Sequence, residues 1–202
     1  MREPLVHASY TTPFGELHVF ATGDGVVRAS GFRAAGSIAA QLPDEWRGEP
    51  WTEGRLPMVE VAVTKWLAGD GDALAEVPVA QDGGPFSQIV WETLRHVPGG
   101  EPLSYSELAE AAGSPRAMRA VGTACSHNAV APFVPCHRVV NAGGKLGVYG
   151  YGGTSIKAAM LALEAGADAA GIERAAADAR PGAQAPARAS LTLQPAQGVP
   201  RT

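Results

Sequence analysis

A change of hydrophobic period at Gln81-Asp82-Gly83-Gly84-Pro85 constrains this chain more than any other feature, because it separates a strand-rich stretch from a helix-rich one. Before it, Val6-His7-Ala8-Ser9-Tyr10-Thr11, Leu17-His18-Val19-Phe20-Ala21 and Val26-Val27-Arg28-Ala29 are β-branched and aromatic runs. Pro13-Phe14-Gly15 and Gly23-Asp24-Gly25 punctuate them, which predicts three short antiparallel strands. A weak helix near Ser37 to Leu42 and a better one over Met58 to Leu67, with Val59, Val63 and Trp66 on one face, complete the first part. After the joint, Phe86, Ile89, Val90, Leu94 and Val97 follow the i, i+3, i+4 stripe until Pro98-Gly99-Gly100. The expected class is α+β: a small N-terminal α/β domain with a three-stranded antiparallel sheet over 1–80, then a mostly helical domain over 81–170. From residue 171 large apolar side chains become scarce, and 171–202 is expected as a disordered tail, most clearly from Asp178.

Within the second part, Ser104-x-x-Glu107 is a capping box that opens a helix through Ala112, and Gly113 closes it. Ser114-Pro115 reads as an N-cap followed by proline at the first helical position, opening a second helix through about Ser126. Two helices across a tight Gly-containing turn form a helix-turn-helix candidate whose second helix carries Arg116 and Arg119. Ordinary helical hairpins share this pattern. A last helix is expected over Ile156 to Glu164, after the close-approach loop Gly150-Tyr151-Gly152-Gly153.

Chemistry concentrates in Pro135-Cys136-His137-Arg138-Val139. A thiol is a nucleophile only as its thiolate, and an adjacent imidazole, a cation such as Arg138 and a constrained backbone are expected to lower its pKa. Pro135 fixes its own φ and presses Val134 toward an extended shape, so the thiol sits on a defined bend. On the pair alone, a buried structural cysteine remains an equal alternative.

Composition narrows the setting. At 202 residues and 46% hydrophobic, the chain can bury a substantial core, and no apolar run reaches the length of a membrane span. The first residues lack a secretory pattern, so the cytoplasm is the expected compartment. Two cysteines, Cys125 and Cys136, and five scattered histidines show no zinc spacing, and a reducing compartment argues against a bridge between the thiols. Net charge is −4, yet Ala111 to Leu163 holds no Asp or Glu and contains Arg116, Arg119, Arg138, Lys145 and Lys157. A segregated basic face on an acidic chain can still meet phosphate.

From about Leu5 to Gly166, and most strongly from Phe86 to Glu164, the sequence resembles the O6-alkylguanine-DNA alkyltransferase family, also called methylated-DNA–protein-cysteine methyltransferases. The residues that carry the resemblance are Tyr105 in Leu103-Ser104-Tyr105, then Arg119-Ala120-Val121-Gly122, then Asn128. Pro135-Cys136-His137-Arg138-Val139-Val140, a Tyr-Gly-Gly loop and Glu164 complete it. The resemblance implies a single-turnover repair protein, with a ribonuclease-H-like N-terminal domain, that moves an alkyl group from O6 of guanine, and O4 of thymine, in double-stranded DNA onto its own cysteine. Carried over by position, Cys136 is the acceptor, His137 takes its proton through a water, and Glu164 orients the imidazole. Tyr105 bonds the guanine and helps protonate it as it leaves, and Asn128 braces the turn before the cysteine. Arg119 fills the gap left by the flipped nucleotide. Arg116, Ala120, Gly122 and Thr123 lie along the minor groove, which the family's second helix enters, contrary to the usual major-groove docking. Val139, Tyr149, Gly150, Tyr151 and Ala131 line the base pocket, while Arg138 braces the segments. No metal and no cofactor are implied, and the protein is expected to act as a monomer without a membrane.

The chain departs from the family in places. Asn128-Ala129-Val130-Ala131-Pro132 stands where Asn-Pro-x-Pro is common, so Ala131 replaces a proline of the pocket wall. Tyr149-Gly150-Tyr151-Gly152-Gly153 is one residue longer than in some relatives, which leaves open which tyrosine takes the family role. The cysteines of a family N-terminal zinc site are missing, and Cys125 reads as a small residue on the recognition helix. Three other readings remain: a lesion-binding module without transfer, whose relatives replace the cysteine; a cysteine hydrolase, for which adjacent Cys and His are unusual geometry; and a sequence-specific regulator.

Overall fold

A computed structural model describes residues 4–187 of the chain. Strands β1 (Val6–Thr12), β2 (Gly15–Ala21) and β3 (Val27–Gly31) form the expected antiparallel meander. The sheet nonetheless has four strands, not three: β4 (Thr52–Glu53) pairs parallel to β1, giving the order β3-β2-β1-β4. Two residues carry no alternation to read. Side chains hold β4 in place instead, with His7 Nδ1 2.8 Å from the Glu53 carboxylate and the Trp51 ring edge-on to Phe20 at 5.1 Å.

Strand alternation decides what each face of the sheet covers. Leu17, Val19 and Ala21 face helix α2 (Pro57–Leu67), which buries Val59, Ala62, Val63 and Trp66. Phe20 and Ala29 point the other way, onto Ile38 of helix α1 (Ala35–Ala39), Leu42 and Trp46. The first of these cores continues without a break into the second half, through Val90 and Leu94 of α3 (Pro85–Arg95), Leu108 of α4 (Tyr105–Ala111) and Val121 of α5 (Met118–Ser126). It extends to Met160 and Leu163 of α6 (Thr154–Glu164). A short parallel pair, β5 (Leu103–Ser104) with β6 (Val139–Val140), joins the start of α4 to the cysteine segment.

Two expectations are corrected. The second helix of the hairpin starts at Met118, not after Ser114, so Arg116 sits in the turn ahead of it. The Ser114 amide donates to Ala109 O at 2.8 Å and the Gly113 amide to Glu110 O at 2.9 Å, with Gly113 at φ +73°. Ser114 thus closes α4 in a Schellman motif and does not cap α5. The expected tail is also partly ordered: α7 (Ala169–Ala177) packs on α6, capped by the Asp168 side chain and anchored by buried Ile172. Beyond it, three backbone bonds of 2.7–2.8 Å tie Gly182, Ala183 and Ala185 to Gly144 and Leu146. The expectation of disorder thus fails for 171–187, and residues 188–202 lie outside the described residues. No described helix is long and apolar enough to cross a membrane.

Candidate active site

A series of tight turns after α5 presents the cysteine. Val134 N donates to Val130 O, Cys136 N to Val134 O at 2.8 Å and Arg138 N to Pro135 O at 3.0 Å, so Cys136–Arg138 forms one 3-10 turn leading into β6. This turn is buried throughout. Asn128, fully buried two residues past the end of α5, donates from Nδ2 to Cys136 Sγ at 3.2 Å and to Val134 O at 2.8 Å. Its brace is therefore also a contact to the sulfur.

The thiol is not the ready thiolate expected from its neighbours. Burial raises its pKa, and Asn128, the Lys157 ammonium and the Tyr149 hydroxyl offset this only in part. Arg138 does not act on the sulfur. Lys157 is buried on α6 with Nζ on Val139 O at 2.5 Å. The Tyr149 hydroxyl has no partner of good hydrogen-bond geometry but faces the sulfur, and its own pKa is raised by burial and by Cys136.

At the next residue, His137 Nε2 and Glu164 Oε1 are 2.9 Å apart, both fully buried. A carboxylate only accepts, so Nε2 carries the proton and donates, leaving Nδ1 as a lone pair with no protein partner. Burial lowers the His137 pKa against the pull of Glu164, and the ring is neutral at neutral pH. Burial would raise the Glu164 pKa, but His137 and Arg138 outweigh it and hold the carboxyl well below its usual range. Arg138 donates from Nε to Oε2 and from Nη2 to Oε1, each at 2.9 Å. Its remaining donors reach Val97 O and Gly71 O, which makes it a brace across three segments. Trp66 Nε1, from α2, adds a fourth bond to this carboxylate at 3.1 Å. Sequence reasoning gives the N-terminal part a bracing role without naming residues, and so missed Trp66.

Tyr105 opens α4 and lies near both thiols: burial raises its pKa, with Cys125 and Cys136 adding to the effect. Gly122 faces it, its Cβ position 4.0 Å from the Tyr105 ring. Arg119, Ala120 and Thr123 share an exposed side of α5, and Arg116 is exposed just before it. The basic stretch is smaller at the surface than its composition suggests. Arg138 and Lys157 are internal, leaving Arg116, Arg119 and Lys145 exposed.

The expected pocket residues divide. Tyr149 and Tyr151 are buried with ring centroids 5.3 Å apart, and Tyr151 Oη donates to Cys125 O at 2.9 Å and Ser126 O at 3.0 Å, linking the loop to α5. Gly150 between them is exposed. Val139 is enclosed in β6, and Ala131 is enclosed with its carbonyl accepting from Ser30 Oγ at 2.9 Å. Cys125 is buried with its pKa raised by burial; both cysteines are free thiols. A cavity of about 500 Å³, bordered by Arg28, Arg47, Gln81, Ser126 and His127, lies behind α5 and does not include Cys136. Among the described residues, no cluster of three or more His, Cys, Asp or Glu side chains is placed to hold a metal ion.

Residues 85–166 match the family model described as "6-O-methylguanine DNA methyltransferase, DNA binding domain". The constitutive methylated-DNA–protein-cysteine methyltransferase of Bacillus subtilis is 43% identical over 153 residues, 76% of this chain and 91% of its own. A relative of the same name from Methanosarcina acetivorans is 32% identical over 161 residues, 79% and 98% of the two chains. The crystal structure of Mycobacterium tuberculosis OGT in complex with DNA superposes with a TM-score of 0.68 at 31% identity, covering 86% of this chain and 99% of that one. On its likeness to these relatives over nearly their whole length, this chain belongs to the methylated-DNA–protein-cysteine methyltransferase family.

Proposed function

We propose that this protein repairs DNA by direct reversal, transferring the alkyl group of O6-alkylguanine, and of O4-alkylthymine, irreversibly to Cys136. The observation that carries this reading is the buried pair Asn128–Cys136 and the buried series His137–Glu164–Arg138, in which a neutral thiol is followed in sequence by a neutral imidazole whose Nδ1 has no protein partner. The thiol proton passes to Nδ1 through a water, and Glu164 stabilises the imidazolium that forms. The sulfur lone pair then attacks the alkyl carbon in line as the carbon–O6 bond breaks. Tyr105 delivers a proton to the departing base. The thioether is stable to hydrolysis, so each molecule acts once.

The lesion reaches the sulfur by leaving the base stack. Arg119 fills the gap, while Arg116, Ala120, Gly122 and Thr123 run along the minor groove, their small side chains allowing close approach. Tyr149, Gly150, Tyr151, Val139 and Ala131 form the walls around the extruded base. Tyr149 and Tyr151 are enclosed in the free protein, so the loop opens as the base enters. The protein works as a cytoplasmic monomer in this reading.

Incubation of folded, reduced protein with a duplex containing O6-methylguanine should add one methylene equivalent, and digestion should place it on the Cys136 peptide. Absence of that mass gain would exclude the reading. Cys136→Ala should lose transfer and keep preference for the lesion duplex.

A further inference from the structure

Asn128 works because its carboxamide has one orientation, and the residue that completes that orientation comes from the joint between the two halves of the chain. Val130 N donates to Asn128 Oδ1 at 3.2 Å, and Asn128 Nδ2 spends its two hydrogens on Val134 O and Cys136 Sγ. A second donor to Oδ1 is Gln81 Nε2 at 3.1 Å. Gln81 Oε1 in turn accepts from Ala129 N at 2.6 Å, and its backbone carbonyl accepts from Gln88 Nε2 at 2.8 Å on α3.

The polarity of this chain is not a matter of amide assignment. Ala129 N can only donate, so the Gln81 atom facing it is oxygen and the other is nitrogen. Val130 N and Val134 O orient the Asn128 amide by the same logic. Donation therefore runs in one direction, from Ala129 N through Gln81 and Asn128 to the sulfur. Each donation into an amide oxygen polarises its N–H groups and strengthens the bond they make next.

We propose that Gln81 is a positioning residue for alkyl transfer: it fixes and polarises the Asn128 carboxamide so that Nδ2–H stabilises the Cys136 thiolate. The inference rests on Cys136 being the alkyl acceptor. Gln81 touches neither the sulfur nor the incoming base. It is half-buried and borders the 500 Å³ cavity, so a change there does not cut a hole in the core.

Two variants test it. Gln81→Leu removes both amide bonds. Gln81→Glu keeps the length and the acceptor for Ala129 N but replaces the donor facing Asn128 Oδ1 with a repelling oxygen, and it serves if the leucine variant does not fold. Single-turnover methyl transfer from an O6-methylguanine duplex is followed against pH. In parallel, the ultraviolet absorbance of the Cys136 thiolate is titrated without DNA, by subtracting the same protein carrying Cys136→Ser. His137, Tyr105, Cys125, Tyr149, Tyr151 and Lys157, the other titratable groups around the thiol, are unchanged in every comparison.

In both variants the thiolate population at a given pH should fall by about threefold to tenfold, with the transfer profile displaced to higher pH and converging on the wild-type rate once the thiol is ionised. A purely structural role would lower the rate equally at every pH. That result, or an unchanged profile in both variants, overturns the proposal. If the wild-type protein takes up no methyl group, the alkyl-transfer reading falls, and the DNA-free titration still decides whether Gln81 governs the thiol.

Discussion

Glu164 receives four hydrogen bonds on two oxygens, from Trp66, His137 and both sides of the Arg138 fork. One carboxylate thereby orients the imidazole and neutralises a buried guanidinium. Glu164→Gln should lose about 3–5 kcal/mol of stability in chemical denaturation, because the buried Arg138 charge keeps only the exposed Asp72 carboxylate, 3.9 Å away. The surrounding groups also set a pH window. Glu164 is depressed and His137 lowered, so the stability they contribute is present above their ordinary values of 4.5 and 6.5 and is lost as pH falls toward the folded values. Cys136 and Tyr149 are raised, so their contribution is present below 9.0 and 10.0 and is lost as pH rises past those values. The melting temperature should accordingly peak between 6.5 and 9.0 and fall on both sides. A melting temperature still climbing below pH 5 would contradict this assignment of charges.

Among the elements, the α4–α5 hairpin shows which local signals survive folding. Both halves of the Ser104–Glu107 capping box form: the Glu107 amide reaches Ser104 Oγ at 3.2 Å and the Ser104 amide reaches Glu107 Oε2 at 2.6 Å. Ser104→Ala should cost about 1 kcal/mol, a fall of about 2–4 °C in melting temperature for a chain of this size, measurable by thermal scanning. That box and the apolar stripe of α3 were legible because each is satisfied within a few residues. Ser114-Pro115 misled for the opposite reason: Ser114 is still closing α4 through its amide, and α5 begins only at Met118, too far on for the Ser114 hydroxyl to cap it. β4 left no trace, since a two-residue strand has no period. The bonds from Trp66 to Glu164 and from Gln81 to Asn128 span 98 and 47 residues, a separation at which no sequence pattern records a partner. The Cys136–His137 motif and Glu164 stood out in the sequence, and the structure brings the imidazole and the carboxylate together. The donors that tune them did not stand out.

Taken as a whole, the molecule is held together around the cysteine segment from both ends of the chain. The N-terminal half supplies Trp66, Gln81 and the Gly71 carbonyl, and residues 169–187 lean on α6 and on the 144–146 turn. A chain ending after Gly166 should therefore melt at lower temperature, and its amides around Leu146 should exchange hydrogen faster, because Gly182, Ala183 and Ala185 no longer pair with that turn. Equal exchange at Leu146 in the two lengths would show that the segment is only an appendage. Ala-rich composition hid it: α7 needs just Ile172 and small side chains pressed against α6 to hold its place.

The buried, protonated sulfur carries one more consequence. A protein spent by its first reaction gains nothing from a nucleophile that answers every electrophile in the cell, and a neutral thiol buried near two tyrosines is a poor target for peroxide or a stray alkyl halide. Its dormancy is a form of selectivity, with reactivity withheld until a damaged base supplies the occasion.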